Sequence, residues 1–311
     1  MRLSSMTSPL RVVHGLIWTL MPVMIAVGWF STLRHGHPAL PILLLCVAAT
    51  GVVLMVTGAR RVRRWRRRRS RARLLAGVVA GTLATTLMAV TVAFLTPHRA
   101  EPVAIEAMAG TPDVTVTEDW RSITFTPQEQ TGVGFVFQPG ARVEARAAGP
   151  LMTQLAELGH TVVVVKQPFT LGFAALGAEQ RIIETHPEVE RWAVGGHSLG
   201  GVAAARAAAS GDPRIVGLVM WAAYPDSATT VRDVPIAVLY GTRDGLIPPA
   251  DITGRVAGLH DATLVPIEGA NHAAFSDYGQ QRDDLDPTVS REVAHARIVA
   301  ATEEFLASLA S

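Results

Sequence analysis

Gly195-Gly196-His197-Ser198-Leu199-Gly200-Gly201 is the stretch on which the reading of this chain turns. Before it, Trp192–Gly195 reads as a strand; after it, the alanine-rich run Gly200–Ser210 reads as a helix. Ser198 therefore stands on a tight strand-to-helix turn. Such a turn needs small residues on both sides, because a side chain there would strike the adjoining strand or helix, and G-x-S-x-G supplies them. The turn lifts a hydroxyl to the carboxyl end of a strand and sets the positive end of a helix dipole behind it. That suits a nucleophile and the oxyanion its attack creates. A glycine turn that merely packs, or holds a phosphate, carries the same local pattern, so the flanking segments must decide.

Outward from this turn, strands and helices alternate. Thr115–Thr117, Ser122–Thr126 and Gly132–Phe137 read as short strands, and Glu144–Leu158 as a helix. Thr161–Lys166 carries four successive valines, the mark of a strand buried on both faces of a parallel sheet. A helix is predicted over Phe173–Thr185. Strands at Ile215–Trp221, Ile236–Tyr240 and Thr263–Ile267 follow, with a helix at Ala250–Leu259 between the last two. The last helix runs from near Thr288 to near Leu309, with Val293, Ile298, Ala301, Phe305 and Leu309 on one face. This alternation predicts an α/β architecture, a mostly parallel sheet covered on both sides. Ligands on such sheets bind beyond the carboxyl ends of the strands.

Two more residues are predicted at those ends. Asp244, in Tyr240-Gly241-Thr242-Arg243-Asp244-Gly245, lies just past a strand, and His272, in Glu268-Gly269-Ala270-Asn271-His272, follows the last one. Asp in a glycine-flanked loop is usually a turn former, and a single loop histidine is usually without a role. Here the order Ser198, Asp244, His272, each after a different strand, is one in which serine triads are built. His272 is then the base that takes the Ser198 proton, and Asp244 the acid that holds its tautomer. Asp251, the nearest rival, reads as a first-turn helix residue, and His197 as structural. One oxyanion donor is the backbone N–H of Leu199. The other comes from the loop Phe137–Arg142, where Pro139 has no N–H; Ala141 is the choice and Gly140 the reserve. No Cys/His cluster has metal-ligand spacing, so neither metal nor cofactor is expected.

Gln138-Pro139-Gly140-Ala141, Gly195–Gly201, Tyr240–Gly245 and Asn271-His272-Ala273-Ala274-Phe275-Ser276-Asp277-Tyr278-Gly279 together resemble a compact bacterial branch of the α/β-hydrolase superfamily, related to the dienelactone hydrolases. The resemblance covers about residues 113–310 and implies the same triad. It departs from dienelactone hydrolases proper, which use a cysteine nucleophile; the single cysteine here, Cys46, lies in an apolar run near the N-terminus. Only Ala222–Val234 separates Trp221 from Pro235, too little for a lid domain, so an open cleft is expected. Phe169, Leu171, Phe173, Tyr224, Leu246 and Phe275 could line an acyl or alcohol pocket.

The first third has a different character. Residues 1–99 hold 14 Arg and no Asp or Glu, whereas the remainder holds 14 basic against 26 acidic residues. The basic balance thus belongs to one end and is no sign of a nucleic-acid partner. Apolar runs at about 12–33, 39–59 and 74–96 are each long enough to cross a bilayer. Ten arginines between Arg60 and Arg73, with Trp65 among them, predict a cytoplasmic loop. The N-terminus is then cytoplasmic as well, and everything after the third span extracytoplasmic. The expected organisation is a membrane segment over 1–96, a linker over 97–113 and a catalytic domain over 114–311. The expected activity is cleavage of small-molecule or lipid esters, or thioesters, through an acyl-enzyme. Acyl transfer to a cell-envelope acceptor by the same triad, and a non-catalytic binding module, are the alternatives.

Overall fold

The computed structural model describes residues 8–62, 71–130 and 132–310. It divides into two compact units, Met1–Thr96 and Pro97–Ser311.

The first unit is helical: α1 (Ser8–Gly28), α2 (Phe30–His35), α3 (Ala39–Val62) and α4 (Arg71–Leu95). Pro9–Gly28, Ala39–Arg60 and Leu75–Leu95 are long and apolar enough to cross a membrane. The first predicted span, 12–33, is interrupted: Trp29 leaves the helical region (φ −109°, ψ 26°), so α1 stops at Gly28 and α2 starts anew. Helices α1 and α3 meet at glycines. A Cβ on Gly15 would stand 2.6 Å from the Gly51 carbonyl oxygen, the close approach that small residues permit between membrane helices. Polar side chains inside the bundle have partners: Thr85 Oγ1 lies 2.7 Å from His14 Nδ1 and accepts from Trp18 Nε1 at 2.9 Å. Large apolar side chains such as Leu20, Met24, Leu45 and Leu87 point outward, as a lipid-facing surface requires. The centre of the arginine run, Trp65 included, and Arg2 lie outside the described residues.

The second unit is built on one eight-stranded sheet. Its strands are β1 (Val114–Glu118), β2 (Ser122–Pro127), β3 (Gly134–Gln138), β4 (Val162–Val165), β5 (Trp192–His197), β6 (Ile215–Trp221), β7 (Ile236–Gly241) and β8 (Ala262–Ile267). The order is β1-β2-β4-β3-β5-β6-β7-β8; β1 and β2 run antiparallel to their neighbours and all other pairs are parallel. The helices are α5 (Pro102–Glu106), α6 (Gly149–Glu157), α7 (Ala178–Thr185), α8 (Leu199–Ala208), α9 (Pro249–Val256) and α10 (Arg291–Ser308). Alternation along the strands divides the apolar side chains between two layers. Phe135, Phe137, Val162 and Val164 join Leu151 of α6 and Ile298 of α10 on one face. Val136, Val163 and Val165 join Ile183 of α7, Ala204 of α8 and Ile252 of α9 on the other. Both faces of the sheet are thereby covered, which is why the four valines of β4 are all buried. The strand order reverses between β3 and β5, and a reversal of that kind opens a crevice at the carboxyl ends.

Several elements differ from the sequence expectation. The predicted helix at Glu144–Leu158 is a 3-10 turn, Ala145–Ala148, then α6, because Pro150 can only sit in a first helical turn. The helix predicted over Phe173–Thr185 is cut at Gly177, whose φ of 75° is left-handed, so α7 starts at Ala178. Helix α10 starts at Arg291 behind the Ser290 cap, and its buried face carries Ala294, Ile298, Thr302 and Leu306, leaving Val293 exposed. Thr302 takes a core position because its hydroxyl accepts from Trp221 Nε1 at 3.2 Å.

The largest difference is the stretch 97–113, read as a linker and found folded onto the sheet unit. Pro102 opens α5, where a missing N–H costs nothing. Ala104 of α5 is fully buried. Ahead of it the chain forms a strap. His98 N–H donates to Arg142 O (2.6 Å), Glu144 N–H to His98 O (3.0 Å) and Glu101 N–H to Asp277 O (2.8 Å). Arg291 adds an ion pair to Glu101.

Candidate active site

Ser198 sits where β5 ends and α8 begins, with φ 53° and ψ −125°. A non-glycine residue there is strained, and such strain persists only where the surroundings enforce it. Two glycines make the turn possible. A Cβ on Gly196 would stand 2.5 Å from the carbonyl carbon of Gly200, and one on Gly200 would stand 2.2 Å from Gln138 O and 2.3 Å from Pro139 O. The start of α8 therefore lies directly against the Gln138–Ala141 loop. Ser198 N–H is bound to Trp221 O at 2.9 Å, and its side of the turn is partly exposed.

Asp244 and His272 emerge at the ends of β7 and β8, both 2% exposed. His272 Nδ1 lies 2.8 Å from Asp244 Oδ2. An ionised carboxylate only accepts, so in that state Nδ1 carries the proton and Nε2 is left as the acceptor. The other oxygen, Asp244 Oδ1, accepts the N–H groups of Leu246 (2.9 Å) and Ile247 (2.7 Å). Asn271 holds the histidine turn: its Oδ1 accepts from Ala274 N–H (3.1 Å) and its Nδ2 donates to Leu285 O (2.8 Å). The close approach of Gly241 to Ala270, where a Cβ would stand 2.4 Å from the carbonyl oxygen, brings the two loops together.

The Asp244 carboxylate and the His272 imidazole are thus in contact. The imidazole of His272 also lies 4.6 Å from that of His197, the residue before the serine. No hydrogen bond joins Ser198 Oγ to His272 among the described residues. Such bonds are often long without substrate and tighten in the complex. The backbone N–H groups of Leu199 and Ala141 likewise donate to no described residue. Asp251 lies in the first turn of α9 and is exposed. Of the expected pocket residues, Phe275 belongs to the core, stacked on His197 at 5.8 Å and tilted against Trp221 at 6.1 Å, and Phe173 faces solvent under Arg206. From Ala222 to Pro235, between β6 and β7, there is no helix.

The surroundings are polar and buried. Burial, and after it the His272 imidazole, holds His197 well below the usual histidine range. Burial, with Arg291 adding to it, lowers His295 of α10 to about 4. Burial raises Asp277 to about 7, with Glu292 acting in the same direction; its carboxylate also lies 3.0 Å from Arg291 Nη1, which pairs with Glu101 as well. A second group lies behind the Gln138–Ala141 loop. Gln167 Nε2 donates to Gln138 Oε1 (2.8 Å) and Pro139 O (2.9 Å), and Gln138 Nε2 donates to Glu179 Oε1 (2.9 Å). Burial pushes the Glu179 carboxyl up. Sequence reasoning missed Gln167 and Glu179; no periodicity marks them, and only the Gln138-Pro139 dipeptide drew attention to this loop. Among the described residues no group of three or more His, Cys, Asp or Glu side chains is placed to hold a metal ion.

A strained serine at the strand reversal and a buried Asp–His pair beside it, on a mostly parallel sheet, define the hydrolase class of α/β proteins. The α/β hydrolase family model matches residues 134–296, and the chain belongs to that family. Among solved structures, Est1E from Butyrivibrio proteoclasticus is similar at 15% identity and TM-score 0.46, over 63% of this chain and 98% of its own. Thermogutta terrifontis esterase 2, phosphoramylated by tabun, is similar at 15% identity and TM-score 0.48, over 64% and 95%. TT1662 from Thermus thermophilus is similar at 15% identity and TM-score 0.46, over 62% and 98%. No curated protein matches the chain.

Proposed function

We propose that this α/β hydrolase is a membrane-anchored serine hydrolase that cleaves carboxylic ester or thioester bonds through an acyl-enzyme. The observation that carries the reading is the buried 2.8 Å contact between His272 Nδ1 and Asp244 Oδ2, on the loops next to the strained Ser198. Ser198 Oγ attacks the acyl carbon while His272 Nε2 takes its proton. The tetrahedral oxyanion accepts from the Leu199 and Ala141 N–H groups, which have no partner among the described residues. His272 returns the proton to the leaving alcohol or thiol, and water then releases the acid by the same route. Asp244 holds the imidazole throughout. The connection from Ala222 to Pro235 carries no helix and so no lid domain, which suits a small-molecule or lipid ester. The three apolar helices act as the anchor. The arginine run and N-terminus face the cytoplasm, and the hydrolase unit the other side, by the charge asymmetry of the sequence.

Fluorophosphonate labelling tests the reading. The full-length protein in detergent micelles should be labelled and should hydrolyse p-nitrophenyl acetate, and Ser198→Ala should abolish both. Equal labelling of wild type and variant would remove Ser198 from the mechanism.

A further inference from the structure

Asp284 lies in the loop between Tyr278 and α10, outside every strand. Its carboxylate accepts three backbone N–H groups. Oδ1 takes those of Gly245 and Leu285, each at 3.0 Å, and Oδ2 takes that of Ala273 at 2.9 Å. Gly245 directly follows Asp244, and Ala273 directly follows His272. The two oxygens of one planar group thus hold the loop after β7 and the loop after β8. The approach is tight: a Cβ on Gly245 would stand 2.7 Å from Leu285 N and 3.0 Å from Asp283 O.

We propose that Asp284 is a positioning residue of the hydrolytic site, clamping the Asp244 loop to the His272 loop through the amides next to the two reacting side chains. The inference rests on the triad proposed above. The His272–Asp244 bond joins side chains from separate strands, and its geometry is only as good as the registration of their loops. Hydrogen bonds weaken steeply with misalignment, and a displacement of about 1 Å at a reacting group costs on the order of 10²-fold in rate. Asp284 removes that freedom without touching substrate. A residue that only anchored its own loop would change stability and leave turnover per folded molecule alone.

The test uses the full-length protein in detergent micelles, with p-nitrophenyl acetate for kcat and KM, fluorophosphonate to count active serines, and thermal melting. Asp284→Ala should lower kcat per active serine by roughly 10- to 100-fold with KM within about two-fold, as expected when orientation is lost and binding is kept. Asp284→Asn retains one acceptor oxygen and should fall between Asp284→Ala and wild type; being isosteric, it also serves should the alanine variant fail to fold. Asp283→Asn removes the same charge from a neighbouring side chain that makes no hydrogen bond among the described residues, and should behave as wild type. Unchanged kcat in both Asp284 variants, a change confined to KM, or an equal loss in Asp283→Asn overturns the clamp and leaves the triad standing. A wild type that neither labels nor turns over overturns the triad, and the clamp with it.

Discussion

Asp244 and His272 are bound to each other through their side chains, whereas the Ser198 hydroxyl and the N–H groups of Leu199 and Ala141 stand unpaired among the described residues. On the first side, both oxygens of Asp244 are occupied, Asn271 uses both ends of its amide, and Gly245 and Ala273 donate to one carboxylate. On the second, the Ser198 hydroxyl and the N–H groups of Leu199 and Ala141 have no partner among the described residues, and the backbone around them is held by Ser198 N–H on Trp221 O, by Gln167 on Pro139 O and by close packing at glycine. Gly200 lies so close to the Gln138–Ala141 loop that a Cβ on it would stand 2.2 Å from Gln138 O and 2.3 Å from Pro139 O. Under the proposed mechanism, the difference follows from what each half would do. A base must keep one orientation, so its hydrogen bonds are made in advance. A nucleophile and an oxyanion hole must offer unmade bonds to the substrate, so close packing and the bonds of their neighbours hold them in place.

The largest expected effect lies on the hydrogen-bonded side. Asp244→Asn removes the acceptor that fixes the histidine tautomer and should lower kcat/KM for p-nitrophenyl acetate by roughly 10²–10⁴-fold with the fold intact. Asp251→Asn, on the exposed first turn of α9, should do little. The reverse result would move the acid to the other aspartate.

A smaller effect tests how far the buried polar groups behind His272 depend on pH. His295 falls from an ordinary 6.5 to about 4 in the fold. A histidine kept neutral by burial contributes stability that is complete above pH 6.5 and is lost as pH falls toward 4, by at most about 3 kcal/mol. Asp277, raised to about 7, has the opposite sign: its contribution is lost as pH rises from 3.8 to 7. The wild-type melting curve contains both, so the difference between proteins is the readout. His295→Gln should gain in Tm relative to wild type as pH drops from 6.5 to 4, and a Tm difference independent of pH would contradict the buried neutral histidine.

The smallest effect tests the close packing on the Ser198 side. Gly200→Ala places a methyl against two backbone oxygens that cannot retreat; overpacking of this kind costs about 1–3 kcal/mol, and activity should fall with it. Gly254→Ala, in α9 with nothing within 4 Å of the new Cβ, should instead stabilise by about 0.5–1 kcal/mol. Thermal melting of both variants reads opposite signs if close contact, and not glycine content, is what matters.

Much of this was legible in the sequence because the governing signals are local. Four valines in a row announce a strand covered on both faces, and a serine between paired glycines announces a sharp turn. The sequence order placed Asp244 and His272 after separate strands, and the structure puts them in contact. What escaped was non-local. Pro97, Pro102 and Pro112 read as chain breakers, yet Pro102 starts a helix whose Ala104 is buried. Asp284 lies in an aperiodic stretch, and its value depends on two amides, 39 and 11 residues earlier in the chain, that only folding brings to it. Phe275 looked like a pocket wall and is core, because the aromatic neighbours that enclose it come from other strands.

The strap at residues 98–101 bears on where this enzyme begins as a unit of inheritance. The family match starts at residue 134, but the folded unit starts at Pro97. The intervening residues supply β1, β2 and α5, and through His98 they hold Arg142 and Glu144, just past Ala141. A gene fusion that exchanged one N-terminal helical unit for another could cut cleanly only ahead of Pro97. A cut at the family border would strip the support from the loop after β3, so helical unit and hydrolase can be recombined over a narrower margin than family homology suggests.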